Sequence, residues 1–361
     1  MRALWTWLVS PALPNVRGMT NDKIAVYGAS GYTGKLVVAE LARRDIPMVL
    51  VGRNVDRLRQ AADRAGIPHP DLRVAVLDDP AALTGAFHDS AAVINTAGPF
   101  TVLGEPVIRA ALAAGSHYVD TTGEQAYLKQ IFDTMSADAE QAGVTVIPGL
   151  ADDGGPGDLI AHLTAERLDQ VDEITIADLR IRSQASRGTA RSMLTAFQGD
   201  GLAYHDGEWN PAVPASHSPI NAPGEPEPIP VVGFALPGVV TVPRHTRARR
   251  VISVLRAELA EIFTGISAEM IDNIPEGPEE DVRGAGRWTM LVEAIGSGKR
   301  AVGVAKGVDA YGTTAVIAVE GAHRLIVDGA KPGVLAPSQA FDPADFLDFL
   351  APFGVTWSVQ S

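Results

Sequence analysis

The sequence lacks cysteine entirely across its 361 residues. This absence excludes disulfide bonds, thiolate catalysis and cysteine-ligated metals. Its eight histidines are scattered, and none form the His-x-x-x-His pair by which a helix binds zinc. We therefore expect no metal site.

The sequence has fewer basic than acidic residues. The chain has 30 Lys and Arg against 43 Asp and Glu, a formal net charge of −13. Nucleic-acid-binding domains normally present a basic stripe, so we expect no nucleic-acid partner. A local positive site can still bind an anionic ligand within an acidic protein.

A hydrophobic run long enough to cross a membrane is also missing near the start of the chain. The apolar stretch from Ala3 to Pro14 is too short for a span and contains two prolines. No clear small-residue cleavage site follows it. We expect residues 1–18 to be a disordered extension, no membrane partner and a cytoplasmic protein.

The first half of the chain alternates short apolar segments with segments of helical spacing. We predict strands within 23–28, 47–53, 72–78, 91–98, 116–124 and 144–149. Among the helices between them, we predict one that opens at Glu105 and Pro106 and a long one that ends at Gly143. Strands separated by helices indicate βαβ units with right-handed crossovers. The expected fold is α/β, a Rossmann domain with a doubly wound parallel sheet, in which ligands bind beyond the carboxyl ends of the strands.

Three glycines follow the first predicted strand. The turn comprises Gly28, Ala29, Ser30, Gly31, Tyr32, Thr33 and Gly34. Glycine permits close approach to the backbone, and a helix N-terminus offers unpaired N–H groups that suit a pyrophosphate. We predict a dinucleotide site here; the alternative is a tight turn without a ligand.

The residues after the second strand indicate which dinucleotide binds. They are Gly52, Arg53 and Asn54. NAD-binding sheets usually carry an acidic residue here, whereas arginine fits a 2′-phosphate, so we expect NADP. The alternative is a solvated arginine. Asp78, after the third strand, either lies near the adenine or caps the helix that begins at Pro80.

Small residues and carboxylates follow the remaining strands. For the nicotinamide end we predict contacts from Thr96, Ala97, Gly98, Pro99, Phe100, Thr121, Thr122 and Gly123. Asp120 and Glu124 flank this last turn and could relay a proton or orient a substrate amine. The alternative for Asp120 is a capping role. After the sixth strand, Asp152 and Asp153 face the predicted cleft, as a substrate contact and a catalytic candidate respectively.

Several segments together resemble the saccharopine dehydrogenase-like NADP oxidoreductases, including the trans-acting enoyl reductases. The matching stretches are "GASGYTGKLV", "VGRN", "VINTAGPF", "HYVDTTGE", "PGLADDGGPGDL" and "SRGTARSM". The resemblance implies a Rossmann domain, a smaller substrate domain, and hydride transfer to an imine or an activated double bond. It also implies that Thr189, Arg191 and Ser192 are candidates to face the substrate; the alternative for Arg191 is a surface arginine on the helix.

One departure from this family concerns the loop after the sixth strand. The family typically has Gly-Phe-Asp where this chain has Ala151, Asp152 and Asp153. A carboxylate in place of an aromatic wall predicts a more polar, cation-tolerant pocket.

Two other families share parts of this pattern. Acyl-phosphate reductases carry a similar turn but need a nucleophilic cysteine, which is absent. Short-chain dehydrogenases often use Tyr-x-x-x-Lys, and no tyrosine here has a lysine four residues on. The absence of this motif weakens the interpretation as a short-chain dehydrogenase without eliminating it.

The second half of the chain reads as an α+β domain with a largely antiparallel sheet. We predict a strand near 171–183, a helix after Gly188, an irregular loop over 203–230, an amphipathic helix over 250–263, a hairpin over 286–307 and a helix over 310–328. The predicted units are a Rossmann domain at 19–152, a substrate or dimerisation domain at 153–308, and a segment at 309–361 that the resemblance places back against the Rossmann domain.

These inferences predict an NADP(H)-dependent oxidoreductase that transfers hydride to or from a C=N or C=C bond of a small metabolite. The partners expected are that small-molecule substrate and a second copy of the chain, since the apolar sheet faces could form a dimer interface. The alternatives are a regulator that senses NADP without turnover, and an isomerase that retains its cofactor.

Overall fold

Two sheets organise the chain in a computed structural model that describes residues 22–197, 201–212, 217–265 and 267–361. The strands are β1 Ile24–Tyr27, β2 Met48–Gly52, β3 Asp71–Val74, β4 Ala92–Asn95, β5 His117–Asp120, β6 Thr145–Ile147, β7 Val171–Asp178, β8 Leu202–His205, β9 Glu208–Pro211, β10 Val231–Gly233, β11 Ala248–Arg256, β12 Arg287–Gly296, β13 Lys299–Val308, β14 Gly333–Val334 and β15 Thr356–Gln360. The predicted extension at 1–18 lies outside the described residues.

The helices connect and cover these strands. They are α1 Tyr32–Arg43, α2 Val55–Arg64, α3 Pro80–Phe87, α4 Phe100–Ala114, α5 Gln125–Thr134, α6 Ser136–Ala142, α7 Gly154–Ala165, α8 Arg187–Phe197, α9 Gly238–Thr241, α10 Ala257–Thr264, α11 Ala268–Ile271, α12 Glu280–Ala285, α13 Ala310–Val327, α14 Pro337–Ala340 and α15 Pro343–Phe349. None of these helices, within the part of the chain described, is long and apolar enough to cross a membrane.

The first sheet is parallel, with the strand order β14-β6-β5-β4-β1-β2-β3. This is the doubly wound order with β14 added at the β6 edge, so the predicted Rossmann fold is confirmed. The central strand β1 is apolar throughout because both of its faces are covered. Ile24 and Val26 face one core, while Ala25 and Tyr27 face the other.

The second sheet has the order β15-β13-β12-β7-β11-β8-β9, with β10 pairing β11. Its pairs are antiparallel except β7 with β11, which run parallel. The predicted hairpin over 286–307 is β12 and β13, joined by a turn at Ser297 and Gly298. The predicted second domain with a largely antiparallel sheet is therefore confirmed.

A continuous apolar core links the two sheets. It joins one face of the first sheet, through α1, α13 and α7, to the facing side of the second sheet. Leu159 of α7, Ile317 of α13 and Met290 of β12 are each fully buried within it. The segment after residue 309 therefore contributes to both sheets and to the core between them. The domain boundaries that we assigned from the sequence stay a prediction.

Four predicted elements differ from the structure. The predicted helix over 250–263 is wrong, since this stretch is strand β11 followed by helix α10. Val251 and Val254 are fully buried, and β11 pairs with β7, β8 and β10. A strand covered on both faces loses the polar alternation that identifies strands in a sequence.

The loop predicted over 203–230 contains the hairpin of β8 and β9. Its turn is Asp206–Gly207, with φ of +46° and +97°. Asp-Gly favours this left-handed turn between antiparallel strands. A further strand, β10, follows immediately after that stretch.

Two predicted helices begin or are interrupted at residues that the sequence did not indicate. The helix predicted to open at Glu105 and Pro106 begins at Phe100 instead, and Pro106 lies inside it. The long helix predicted before Gly143 is two helices, because Met135, with φ −111°, interrupts it and is buried in the core.

Candidate functional site

A cleft of about 670 Å³ lies where the carboxyl ends of the parallel strands meet the second domain. Of the predicted cofactor residues, it is lined by Gly28, Ser30, Gly31, Tyr32, Thr33, Gly52, Arg53, Asp78, Thr96, Ala97, Gly98, Phe100, Thr121 and Gly123. The predicted cofactor residues that do not line the cleft are Ala29, Gly34, Asn54, Pro99 and Thr122.

The glycine-rich turn after β1 is built by close backbone packing. Gly28 has φ +80°, and the N–H of Gly31 donates to its carbonyl oxygen at 2.8 Å. A Cβ added at Gly34 would lie only 2.2 Å from that same oxygen. No side chain caps the start of α1, so its first N–H groups remain available to a ligand, as a bound pyrophosphate requires.

Arg53 at the end of β2 faces the cleft. Its side chain is exposed and has no hydrogen bond or ion pair with any residue in the described part of the chain. Asn54 instead caps α2, accepting a hydrogen bond from the N–H of Arg57 at 3.0 Å. The cap of α3 is Asp79 and not Asp78, which leaves Asp78 facing the cleft. A dinucleotide with an anionic group near β2 fits these residues.

Asp120 lies beneath the cleft and does not line it. Its carboxylate is fully buried and accepts hydrogen bonds from the N–H groups of Thr122 and Gly149 and from the hydroxyls of Tyr118 and Tyr127. Burial raises the pKa of Asp120 to about 6, against the effect of these hydrogen bonds. These contacts hold the turn after β5 in place.

Glu124 lines the cleft but uses its carboxylate on the backbone. Its two oxygens accept hydrogen bonds from the N–H groups of Phe100 and Thr101, each at 2.8 Å. Both donors are at the start of α4, where a carboxylate also meets the positive end of the helix dipole. Glu124 therefore fixes the loop after β4.

Asp152 and Asp153 lie together in the cleft with Asp178 and Arg180 of the second domain. Arg180 forms ion pairs with Asp178 at 2.6 Å and with Asp152 at 3.1 Å. Loss of hydration, reinforced by Asp152, raises the pKa of Asp153 to about 7. A pKa in this range is the one that suits a group exchanging protons at neutral pH.

The two carboxylate oxygens of Asp152 differ in their hydrogen bonding. Its Oδ1 accepts a hydrogen bond from the hydroxyl of Thr314 at 2.9 Å. Its Oδ2 is buried and receives no hydrogen bond from the described residues, although Arg180 lies close by. A buried acceptor of this kind costs free energy unless a donor reaches it.

Helix α8 brings the three predicted substrate residues to the opposite wall. Thr189, Arg191 and Ser192 all line the cleft. Thr189 is within 2.9 Å of the hydroxyl of Tyr311, and Arg191 pairs with Asp272 at 3.3 Å. Ser192 reaches across to the Rossmann domain, since a Cβ added at Gly98 would lie 2.9 Å from its Oγ.

Several cleft residues were missed by the sequence reasoning. They are Arg57, Arg180, Phe234, Leu255, Phe263, Glu276, Tyr311 and Thr314. All but Arg57 come from the second half of the chain, and no local motif marks them. The Asn54 cap signal does place Arg57 in the first turn of α2 and could have identified it.

The fold and this cleft define a dinucleotide-binding Rossmann protein with a second, mixed-sheet domain. Residues 24–147 match the family model described as the saccharopine dehydrogenase NADP binding domain. Residues 24–147 are therefore similar to the NADP binding domain of that family, in agreement with the resemblance and with the cofactor expected from the sequence.

Relatives and a solved structure agree with this assignment. The chain is 27% identical to a saccharopine dehydrogenase-like oxidoreductase of Bos taurus, over 58% of this chain and 51% of that protein. It is 32% identical to a trans-acting enoyl reductase of Mycobacterium ulcerans, over 48% of this chain and 43% of that protein. The matches thus span about half the length of these two relatives.

The solved structure shares the fold over most of the chain. Apo histidine-tagged saccharopine dehydrogenase (L-Glu forming) from Saccharomyces cerevisiae has a TM-score of 0.61 at 14% identity, covering 94% of this chain and all (100%) of that chain. At this identity the likeness shows the architecture alone.

Proposed function

We propose that the chain is an NADP(H)-dependent oxidoreductase that transfers hydride to or from a C=N or C=C bond of a small metabolite. The observation that carries the proposal is one cleft lined by both the glycine-rich turn and Asp153, whose pKa lies at about 7. A cofactor-binding turn and a proton-exchanging carboxyl are the two parts that such a reduction needs.

NADP would be held by the Rossmann side of the cleft. The N–H groups at the start of α1 suit the pyrophosphate, and Arg53 suits the 2′-phosphate. When bound, NADPH supplies the hydride. Gly98 and Gly123 keep the surface beyond β4 and β5 free of side chains, since a Cβ on Gly98 would meet Ser192 and one on Gly123 would lie 3.2 Å from Asp153.

Asp153 would exchange the proton that accompanies hydride transfer. Protonated Asp153 donates to the nitrogen of an imine or the carbon of an activated double bond, and its carboxylate takes the proton in the reverse direction. Asp152 supports the imine reading, because its Oδ2, which pairs with Arg180 but receives no hydrogen bond from the described residues, can accept one from a substrate N–H. Asp120 and Glu124, whose carboxylates are occupied, stay weaker catalytic predictions.

The second domain would hold the carbon skeleton of the substrate. Phe234, Leu255 and Phe263 line the cleft on that side. Thr189 and Arg191 add polar groups on α8. A substrate with an apolar body and a polar reacting group fits this lining.

The proposal is tested by NADPH oxidation across a panel of cyclic imines, imino acids and enoyl compounds, with product identification. We expect one class to be reduced with one equivalent of NADPH consumed. Tight NADPH binding without turnover on any class would favour the sensing protein instead. Product formed without net NADPH consumption would favour the cofactor-retaining isomerase.

The remaining expectations from the sequence belong to the same proposal. They are a small-molecule substrate as partner, a cytoplasmic location and a homodimer. Light scattering on the purified chain tests the last of these, and a mass equal to one chain at micromolar concentration would contradict it.

A further inference from the structure

A short segment of the second domain crosses to the glycine-rich turn. We call residues 274–278, which connect α11 to α12, the strap. The hydroxyl of Tyr32 donates to the carbonyl oxygen of Pro278 at 2.7 Å. Gly277 packs on the ring of Tyr32 so closely that an added Cβ would lie 2.2 Å from Cδ2. The strap therefore rests directly on the start of α1.

The other side of the strap is held by α8. The N–H of Arg187 donates to the carbonyl oxygen of Glu276 at 3.2 Å, and its Nε donates to that of Ile274 at 2.8 Å. These bonds orient the Glu276 side chain towards the Rossmann domain.

The Glu276 carboxylate binds two cations of the cofactor domain. It forms ion pairs with Lys35 of α1 at 2.6 Å and with Arg57 of α2 at 3.4 Å. Glu276 and Arg57 both line the cleft. The carboxylate thus neutralises basic groups at the end of the cleft where the phosphates of a dinucleotide are expected.

Arg57 is placed to act on a phosphate. It lies four residues after Arg53, in the first turn of α2, and its Nη2 is 3.4 Å from the carbonyl oxygen of Ser30 in the glycine-rich turn. Two arginines beside one another are typical of sites that bind a doubly charged phosphate. Arg53 is free to bind one, whereas Arg57 is paired with Glu276.

We propose that Arg57 is a second ligand of the 2′-phosphate of NADP, and that Glu276 competes with this phosphate for Arg57, so that NADP breaks the Glu276–Arg57 pair and NAD does not. The inference rests on the proposed function and deepens it, because it names how the site distinguishes the two dinucleotides. NAD lacks the 2′-phosphate and leaves the Glu276–Arg57 pair intact.

The test measures dissociation constants of NADPH and NADH by fluorescence titration of the full chain. Glu276→Gln keeps the shape of the side chain and removes its charge. We expect it to tighten NADPH binding about tenfold and NADH binding less than threefold. Arg57→Ala should weaken NADPH binding about tenfold and NADH binding less than threefold. Glu279→Gln, three residues along and without a side-chain contact to the described residues, is the matched control.

The double variant separates competition from a general charge effect. In the Arg57→Ala background, Glu276→Gln should gain less than threefold in NADPH affinity. An equal gain in both backgrounds, or weaker NADPH binding by Glu276→Gln alone, overturns the inference while leaving the proposed function standing. A wild-type chain that binds neither dinucleotide overturns both.

Discussion

The Oδ2 atom of Asp120 lies 2.8 Å from the hydroxyl of Tyr127, deep beneath the cleft. Both side chains are almost completely buried, Asp120 at 0% and Tyr127 at 1% exposure. The residue that the sequence offered as a catalytic candidate is thus part of a buried hydrogen-bond network that supports the turn after β5.

The first prediction concerns the stability of this network. Burial holds the pKa of Asp120 at about 6 in the folded chain, above 3.8 for the unfolded one. The folded chain therefore stays protonated at Asp120 to a higher pH than the unfolded chain. The contribution of this proton to the free energy of unfolding is lost as pH rises from about 4 to about 6. Relative to wild type, Asp120→Asn should gain about 2.4 kcal/mol in free energy of unfolding between pH 4 and pH 7. Urea titrations at several pH values measure this, and a constant difference between the two proteins would refute it.

The second prediction concerns Arg53 and the 2′-phosphate. Reversing its charge in Arg53→Asp removes a charge-assisted hydrogen bond and adds repulsion. We expect NADPH binding to weaken at least about a hundredfold, and NADH binding to change less than fivefold. Calorimetric titration of both dinucleotides measures the change, with the exposed Arg59→Asp on α2 as control. Unchanged NADPH affinity would remove Arg53 from the site.

The third prediction concerns Asp153 as a proton donor. With its pKa raised to about 7, its protonated form disappears as pH rises, so kcat for reduction should fall through about pH 7. Asp153→Asn should lower kcat about 10²- to 10⁴-fold and abolish that pH dependence, with NADPH affinity unchanged. The exposed Asp169→Asn is the control. A variant with wild-type kcat would exclude Asp153 from proton transfer.

The fourth prediction concerns the packing of the glycine-rich turn. Gly34→Ala would force a Cβ to within 2.2 Å of the Gly28 oxygen and 2.9 Å of the Ala29 Cα, and neither atom can move cheaply. We expect a loss of about 1–3 kcal/mol in unfolding free energy together with weakened NADPH binding. Gly85→Ala, in α3 with no atom within 4 Å of its added Cβ, should be neutral or stabilising by up to about 1 kcal/mol. Equal thermal stability of the two variants would contradict this account.

Local patterns were enough to predict the Rossmann half of the fold. Its strands are short apolar runs, and its helices end at glycines. Gly115, for example, ends α4 with φ +70°. The sequence did not predict the start of α4, because the carboxylate that accepts its first N–H groups belongs to Glu124, more than twenty residues further along the chain. The sequence therefore placed the helix near Pro106, where a proline signal exists.

In the second half of the chain, the contacts that determine the fold join residues farther apart in the sequence than in the Rossmann half. β11 was mistaken for a helix because residues 251–255 are buried on both faces of the sheet, which removes the polar alternation of a strand. The hairpin turn at Asp206–Gly207 was recognisable and was overlooked among the prolines that follow it. For the cleft, the Rossmann loops were predictable from the strand ends, whereas Arg180 and Glu276 reach the cleft only through the packing of the second domain.

The two short strands near the end of the chain have a consequence for truncation. β14 covers the outer edge of β6, and β15 covers the outer edge of β13. Removing the chain from residue 333 onward would leave both edges with unpaired backbone groups. Such bare edges invite strand addition by another molecule, so we expect the truncated chain to self-associate.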